Sequence, residues 1–317
     1  HSSAYAMGVI ELQRKLMADH VRNKAFAEAL KNVIVPDQTT VLDLGAGTGF
    51  LSFLAEQLGA KSCSLIESGD IAHTARKLIQ ENKMQRCKVF SLHSSALRAH
   101  PKVDVLLSET LGNFALEENI IESIEDAKRF LKPGGIIIPG KIRQYVCPIT
   151  EQRLWKEVNV WEDIGFGLRF DAAKKLSLNN MYVKTIQASE CLQKSAAAQH
   201  FDEIDFSKRV ESIRKSSVEW KIDSSVTVYG LAVWWEAELV PGVIISTSPL
   251  AAPTHWEQIY FPVLAPISLQ QGDTLFVGIT SDSRWSVKIN VTWKYDIQHF
   301  KGKSISQHLD MRKGFID

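Results

Sequence analysis

The run Val41-Leu42-Asp43-Leu44-Gly45-Ala46-Gly47-Thr48-Gly49-Phe50 decides the fold. Its apolar residues around one aspartate, with Thr39 and Thr40 ahead of them, predict a strand. The three glycines predict a turn, and the apolar spacing over 50–58 predicts a helix. Glycine suits such a strand-to-helix turn because a ligand there approaches the backbone more closely than a Cβ allows. A dinucleotide turn carries its third glycine where Phe50 stands, so a nicotinamide cofactor is disfavoured.

Outward from this turn, strand candidates at 64–67, 88–92, 103–107 and 135–139 alternate with helical stretches at 71–82 and 118–131. Helices between short apolar strands are the pattern of βαβ crossovers and a parallel sheet. Glu67, 18 residues past Gly49, ends the second strand, where a carboxylate serves as acceptor for both ribose hydroxyls of a bound nucleoside. Upstream, Leu12, Leu16, Val21 and Leu30 recur at helical spacing among charged residues. Downstream of Pro148 the pattern changes: 220–239, 256–261, 274–279 and 286–296 are rich in Val, Ile, Trp, Tyr and Phe and are separated by turn signals such as Pro241-Gly242. The expected architecture is an α/β Rossmann-like sandwich over 37–147, capped by helices over 1–36. A mostly antiparallel, β-barrel-like domain over 148–317 follows, with a helical arm near 165–185.

The 317 residues are 45% hydrophobic and 23% charged, as in ordinary globular domains, with 37 Lys and Arg against 36 Asp and Glu. A net charge of +1 provides no field for nucleic acid or an acidic membrane surface. The apolar stretch 226–245 is interrupted by Glu236, Glu238 and Pro241-Gly242 and reads as two strands instead of a membrane span. Cys63, Cys87, Cys147 and Cys191 are singly spaced and read as reduced thiols. Most of the histidines (His73, His93, His100, His200, His299, His308) lack metal-ligand spacing, so no metal is expected. The N-terminal residues show no charged segment followed by an apolar run, from which a cytoplasmic location is expected.

The compact glycine turn, with Asp43 two residues before its first glycine, resembles the first motif of S-adenosylmethionine-dependent methyltransferases. That resemblance implies S-adenosyl-L-methionine as cofactor, bound about Asp43, Gly45, Gly47 and Glu67. The segment Ser108-Glu109-Thr110-Leu111-Gly112-Asn113-Phe114-Ala115-Leu116-Glu117-Glu118 further resembles the double-glutamate loop of the protein arginine methyltransferases, whose glutamates stand nine positions apart, as Glu109 and Glu118 do. A guanidinium keeps its proton until about pH 13 to 14, so a carboxylate pair can hold and orient it through charge-assisted hydrogen bonds. Glu118 also suits the ordinary role of an acid at a helix start.

Thr254-His255-Trp256, preceded by Ser246-Thr247-Ser248-Pro249, resembles the same family's threonine-histidine-tryptophan loop, and Asp19-His20-Val21-Arg22 resembles its D-x-x-R segment. Lys132-Pro133-Gly134-Gly135 matches as well, and the resemblance runs from about Leu12 to Trp293. It implies that Arg22 holds the carboxylate of the cofactor, that Asp19 pairs with His255, and that Glu109, Glu118, His255 and Asp19 form the reacting site. Thr110-Leu111-Gly112-Asn113 replaces the family's Trp-Met-Gly-Tyr, Ile120 replaces a methionine, and Ser94-Ser95-Ala96 replaces the Val-Glu that meets adenine. Ser95 is the expected adenine contact, with Asn113 and Trp256 facing the substrate.

The implied activity is methyl transfer to a guanidinium nitrogen of protein arginine. A methyltransferase of small molecules or another residue, and a cofactor-binding but silent partner, stay open as alternatives. The 170–184 segment occupies the place of the family's dimerisation arm. It implies a homodimer in which Leu176, Leu178, Met181 and Tyr182 form an exposed apolar patch against a second copy.

Overall fold

A computed structural model describes residues 2–316 of the chain, with side chains from residue 8 onward. Helices α1 (Ser2–Ala18) and α2 (His20–Val33) come first. Asp19 separates them: its side chain accepts from the backbone N–H of Arg22 at 3.0 Å and so caps α2. The α/β part then runs β1 (Thr40–Leu44), α3 (Phe50–Gln57), β2 (Ser62–Ile66), α4 (Ile71–Glu81), β3 (Cys87–Phe90), β4 (Val103–Ser108), α5 (Ile120–Ala127) and β5 (Leu131–Ile138). These strands pair in parallel in the order β3-β2-β1-β4-β5. The order reverses beside β1, so the ends of β1 and β4 open a crevice at the switch point.

Pairing changes from parallel to antiparallel at Pro139-Gly140. There follow β6 (Lys141–Ile149), α6 (Arg153–Val158), α7 (Asp171–Leu178), β7 (Tyr182–Lys184), β8 (Gln199–Asp205), β9 (Ile213–Lys221), β10 (Val226–Val240), β11 (Val243–Ser246), β12 (Gln258–Leu269), β13 (Thr274–Asp282), β14 (Asn290–Gln298) and β15 (Ser304–Asp310). They build two antiparallel sheets, β7-β12-β10-β6-β8 with β11 on β10, and β15-β14-β13-β9. The sheets touch at β8 with β9 and at β12 with β15 without a connecting hydrogen-bonded ladder, so the β part is two stacked sheets and no closed barrel forms. As the sequence suggests, 226–245 is a hairpin turning at Pro241-Gly242. No helix among the described residues is long and apolar enough to cross a membrane.

Two expectations need correction. The helix expected over 118–131 is only α5, because Asn119 is left-handed, with φ of 59°, and cannot lie inside it. The arm does not present the expected patch either. Leu178 is 2% exposed and packs with Cys147, Ile149, Leu154 and Val158, while Met181 and Tyr182 pack against the chain's own core. The large apolar side chains the arm exposes are Phe166 and Leu168, ahead of α7, and Val183 on β7 beyond it. Cysteines distant in sequence come together across strands: Cys63 pairs in register with Cys87, and both thiols donate to the Ser52 carbonyl. All four are free.

A candidate active site at the switch point

The glycine turn needs its glycines. Gly45, Gly47 and Gly49 have φ of 63°, 58° and 92°, a region that costs other residues strain. A Cβ on Gly47 would come within 3.0 Å of the Gln13 side chain, and one on Gly45 within 2.9 Å of Thr110. Glu67 turns back to this loop, accepting from Gly47 N–H and Gly69 N–H at 2.8 Å each.

A cavity of about 320 Å³ opens over the turn. Its walls include Gly45, Gly47, Glu67, Glu109, Asn113, Glu118, His255 and Trp256, together with Leu12, Gln13 and Leu16 of α1. Residues as far apart in sequence as Leu12 and Trp256 thus share one space. Leu12 and Leu16 read in the sequence as part of the apolar stripe of a helix, and nothing there singles out Gln13; periodicity marks a face without saying that a cavity lies beneath it.

Arg22 and Glu109 form one buried ion pair. Arg22 Nε and Nη2 each lie 2.7 Å from Glu109 Oε2, with 5% and 6% of the two side chains exposed. Glu109 Oε1 also accepts from Leu111 N–H at 3.3 Å. A pair this dry is costly to break, since either partner alone would be an uncompensated buried charge. Asp19 spans two further elements: beyond capping α2, its Oδ2 accepts from His255 Nδ1 at 2.6 Å and from His255 N–H at 3.0 Å. Burial raises the Asp19 carboxyl, but the hydrogen bonds from His255 and Arg22 outweigh burial and hold it below the ordinary range.

Two indoles pin the 109–118 loop from the β half. Trp256 Nε1 donates to the Leu111 carbonyl at 2.8 Å and Trp235 Nε1 to the Gly112 carbonyl at 3.0 Å, with the two rings edge-on at 4.8 Å. Asn113 Nδ2 returns a bond to the Trp256 carbonyl at 2.8 Å, and Glu117 closes the loop by accepting from Asn113 N–H at 2.8 Å. None of these braces has a spacing signature in the sequence.

Glu118 differs from Glu109. It opens to the cleft and accepts no hydrogen bond from the described residues. Desolvation within the cleft, then the charges of Glu109 and Glu117, push its carboxyl up to about 7. Asp43 is turned away from the main cavity, accepting from Ser52 Oγ at 2.7 Å; burial, with the Glu67 and Glu109 charges, pushes it up to about 7 as well. Ser95 lies on an exposed turn, bonded to His93 at 2.7 Å, and does not line the cavity.

Known proteins resemble this arrangement. The family model described as the arginine methyltransferase oligomerization subdomain matches residues 142–300, half of the chain. The chain belongs to the protein arginine methyltransferase family. A second model, ribosomal protein L11 methyltransferase, matches residues 19–164. The histone-arginine methyltransferase CARMER of Drosophila persimilis is 29% identical over 98% of this chain and 60% of its own length, as is that of Drosophila pseudoobscura pseudoobscura. The chain therefore spans about 60% of the length of these curated relatives. Among solved structures, the Trypanosoma brucei PRMT1 enzyme-prozyme heterotetrameric complex with AdoHcy superposes with a TM-score of 0.84 at 22% identity, covering 95% of this chain and 98% of that one. Arabidopsis thaliana protein arginine methyltransferase 10, in an open conformation, gives 0.79 at 21% identity, covering 94% and 97%. At these identities the structural matches speak for the fold alone, and that fold is the family's.

Proposed function

We propose that this family member is an S-adenosylmethionine-dependent methyltransferase acting on a guanidinium nitrogen of protein arginine. The observation that carries the reading is the charge of the cavity. Glu67, Glu109 and Glu118 line it, and the nearby Arg22 is already engaged by Glu109. Carboxylates kept in a partly dry cleft favour a cationic guest, and a planar guanidinium suits a paired-carboxylate wall.

The cradle suits the cofactor: a Cβ on Gly45 or Gly47 would fill the space over the turn, and the Glu67 carboxylate stands at the wall where ribose hydroxyls are met. Gly45, Gly47, Glu67 and Gln13 would hold the nucleoside part, and Arg22, exchanging Glu109 for it as Glu109 takes the guanidinium, would hold the carboxylate. The chemistry that bound S-adenosylmethionine supplies is an electrophilic sulfonium methyl group. Glu109 and Glu118 grip the guanidinium so that one nitrogen faces this group, which is a task of positioning and electrostatics. A nitrogen that took up this methyl group would have a proton to give up. Glu118, a stronger base than an ordinary carboxylate, is the acceptor we assign, and the Asp19–His255 pair fixes the wall beside it.

Asn113, where the family carries tyrosine, makes the entrance more polar and wetter. We assign the cytoplasm on the four free thiols. We also assign a homodimer, on the exposed arm side chains and the match to an oligomerization model. The test incubates the purified protein with isotopically labelled cofactor and peptides bearing one central arginine or one lysine, beside small guanidines. Label on the arginine peptide that disappears in Glu109→Gln supports the reading. Label only on a small guanidine replaces the protein substrate, and cofactor binding without transfer to any of these substrates leaves a silent partner.

A further inference from the structure

Glu109 is locked by Arg22, but Glu118 accepts no hydrogen bond from the described residues, so its aim is set by the backbone that carries it. That backbone is held from the far side of the molecule. Asn119, immediately after Glu118, takes φ of 59° and ψ of 32°, a left-handed conformation that asparagine tolerates better than most residues. It stands at the N-cap of α5 and yet its side chain makes no cap bond to the backbone of that helix. Its Nδ2 donates instead to the Ser283 carbonyl at 2.7 Å and to Glu122 Oε1 at 3.1 Å. The other oxygen of Glu122 accepts from Ser283 Oγ at 2.9 Å and Ser212 Oγ at 2.5 Å. Ser212 immediately precedes β9 and Ser283 immediately follows β13, and Ser283 N–H donates to the Ser212 carbonyl at 3.3 Å. One carboxylate thus joins the start of α5 to the ends of two paired strands in the four-stranded sheet, and Ser283 is 1% exposed.

We propose that Asn119, Glu122 and Ser283 are positioning residues that aim Glu118 into the cavity through a brace from the β half. The inference rests on the reading of Glu118 as part of the substrate clamp. If Asn119 leaves the left-handed region, the peptide plane between it and Glu118 rotates and carries the carboxylate with it. A hub with one donor missing leaves a partly buried acceptor short of a partner, so the brace holds as a unit or loosens as a unit.

The test uses a fluorescent peptide with one central arginine, bound in the presence of the demethylated cofactor and followed by anisotropy from pH 6 to 8.5. Cofactor affinity is measured by calorimetry and stability by thermal unfolding on the same samples. Ser283→Ala removes one donor to Glu122, and Asn119→Asp removes the donors while tolerating the left-handed backbone. Asn119→Gly keeps that backbone without any side chain and guards against misfolding of the other two. The brace predicts roughly tenfold weaker peptide binding in Asn119→Asp and a smaller loss in Ser283→Ala and Asn119→Gly, with cofactor affinity within about twofold of wild type. It also predicts that in the charge-neutral variants, Ser283→Ala and Asn119→Gly, the pH midpoint of peptide binding moves to the acid side as Glu118 swings away from the charges of Glu109 and Glu117, which a merely structural change would not produce. Wild-type affinity and midpoint in all three variants overturn the inference, as does a parallel loss of peptide and cofactor binding. Glu118→Gln separates the failures: wild-type binding and turnover there overturn the clamp and the brace together, whereas loss in Glu118→Gln with none in the Asn119 and Ser283 variants overturns the brace alone.

Discussion

At the scale of single residues, desolvation gives two carboxyls different uses, one open to the cleft and one inside the core. Glu118 binds a cation only when ionised, and with its carboxyl pushed up to about 7 it is protonated on the acid side of neutrality. Arginine-peptide binding should therefore strengthen as pH rises from 6 to 8, with a midpoint near 7. Binding that is flat over this range would contradict the assignment. Asp43 is buried, 2% exposed, and is also pushed up to about 7, so its linkage to folding runs against the usual carboxylate. A group raised in the fold contributes stability that is present below its unfolded value of about 4 and is lost as pH rises through about 7. Asp43→Asn keeps an acceptor for Ser52 and removes the charge. Relative to wild type it should gain on the order of 2 kcal/mol between pH 5 and pH 8 in the cofactor-free protein, read by denaturant unfolding at both values. An equal effect at the two values would show that Asp43 ionises normally. Glu67 has a third use: it ties Gly47 to Gly69 and faces the cavity, so Glu67→Ala should weaken cofactor binding by about 1 to 3 kcal/mol in calorimetry.

At the scale of elements, the readable part of the sequence is the part whose chemistry is local. Three glycines in five residues demand a backbone that only glycine takes cheaply, so the turn after β1 is legible without a structure. The alternation of short apolar strands with helices is legible for the same reason. Leu178 shows the limit: its helical spacing marks a buried face, but periodicity does not say whether that face packs at home or on a second copy, and it packs at home. Trp256, expected to face the substrate, is buried like Trp235, and each spends its one N–H on a carbonyl of the 109–118 loop. Gly112 is legible only as a loop glycine until its surroundings are seen. A Cβ there would meet Glu117 Cγ at 2.3 Å and the Phe114 carbonyl at 2.5 Å, both parts of the same closed loop. Gly112→Ala should cost about 1 to 3 kcal/mol of stability and sharply reduce methyl transfer, with cofactor affinity nearly kept, because the loop must open to admit the methyl group. Unchanged turnover with a lower melting temperature would show that the loop's closed form is not needed to place the glutamates.

At the scale of the whole molecule, the cavity lies on a seam. Contacts of α2 with the β10–β11 hairpin, the two indoles, the Asp19–His255 bond and the Glu122 hub all join the α/β part to the β part around it. The arm belongs to none of these contacts at its outer turn, where Phe166 is 94% and Leu168 63% exposed. Large apolar side chains standing this far into water in one short turn mark a surface meant to be covered. At the helical end, Val21 and Val35 are exposed as well, and the homodimer proposed above would set the arm of one copy against this face of the other. In a twofold dimer each arm meets one such face, so every substitution acts twice. Phe166→Asp with Leu168→Asp removes four buried side chains per dimer, on the order of 6 kcal/mol, a more than roughly ten-thousandfold loss of association. Sedimentation should give a dimer for the wild type at micromolar concentration and a monomer for this variant. Val21→Asp with Val35→Asp should dissociate the dimer from the other side. Mixing the two variants then decides the geometry, because the intact arm of one and the intact face of the other rebuild one of the two contacts and should give a weak heterodimer. A wild-type monomer, or a mixture that stays monomeric at high concentration, would mean that this turn does not meet that face.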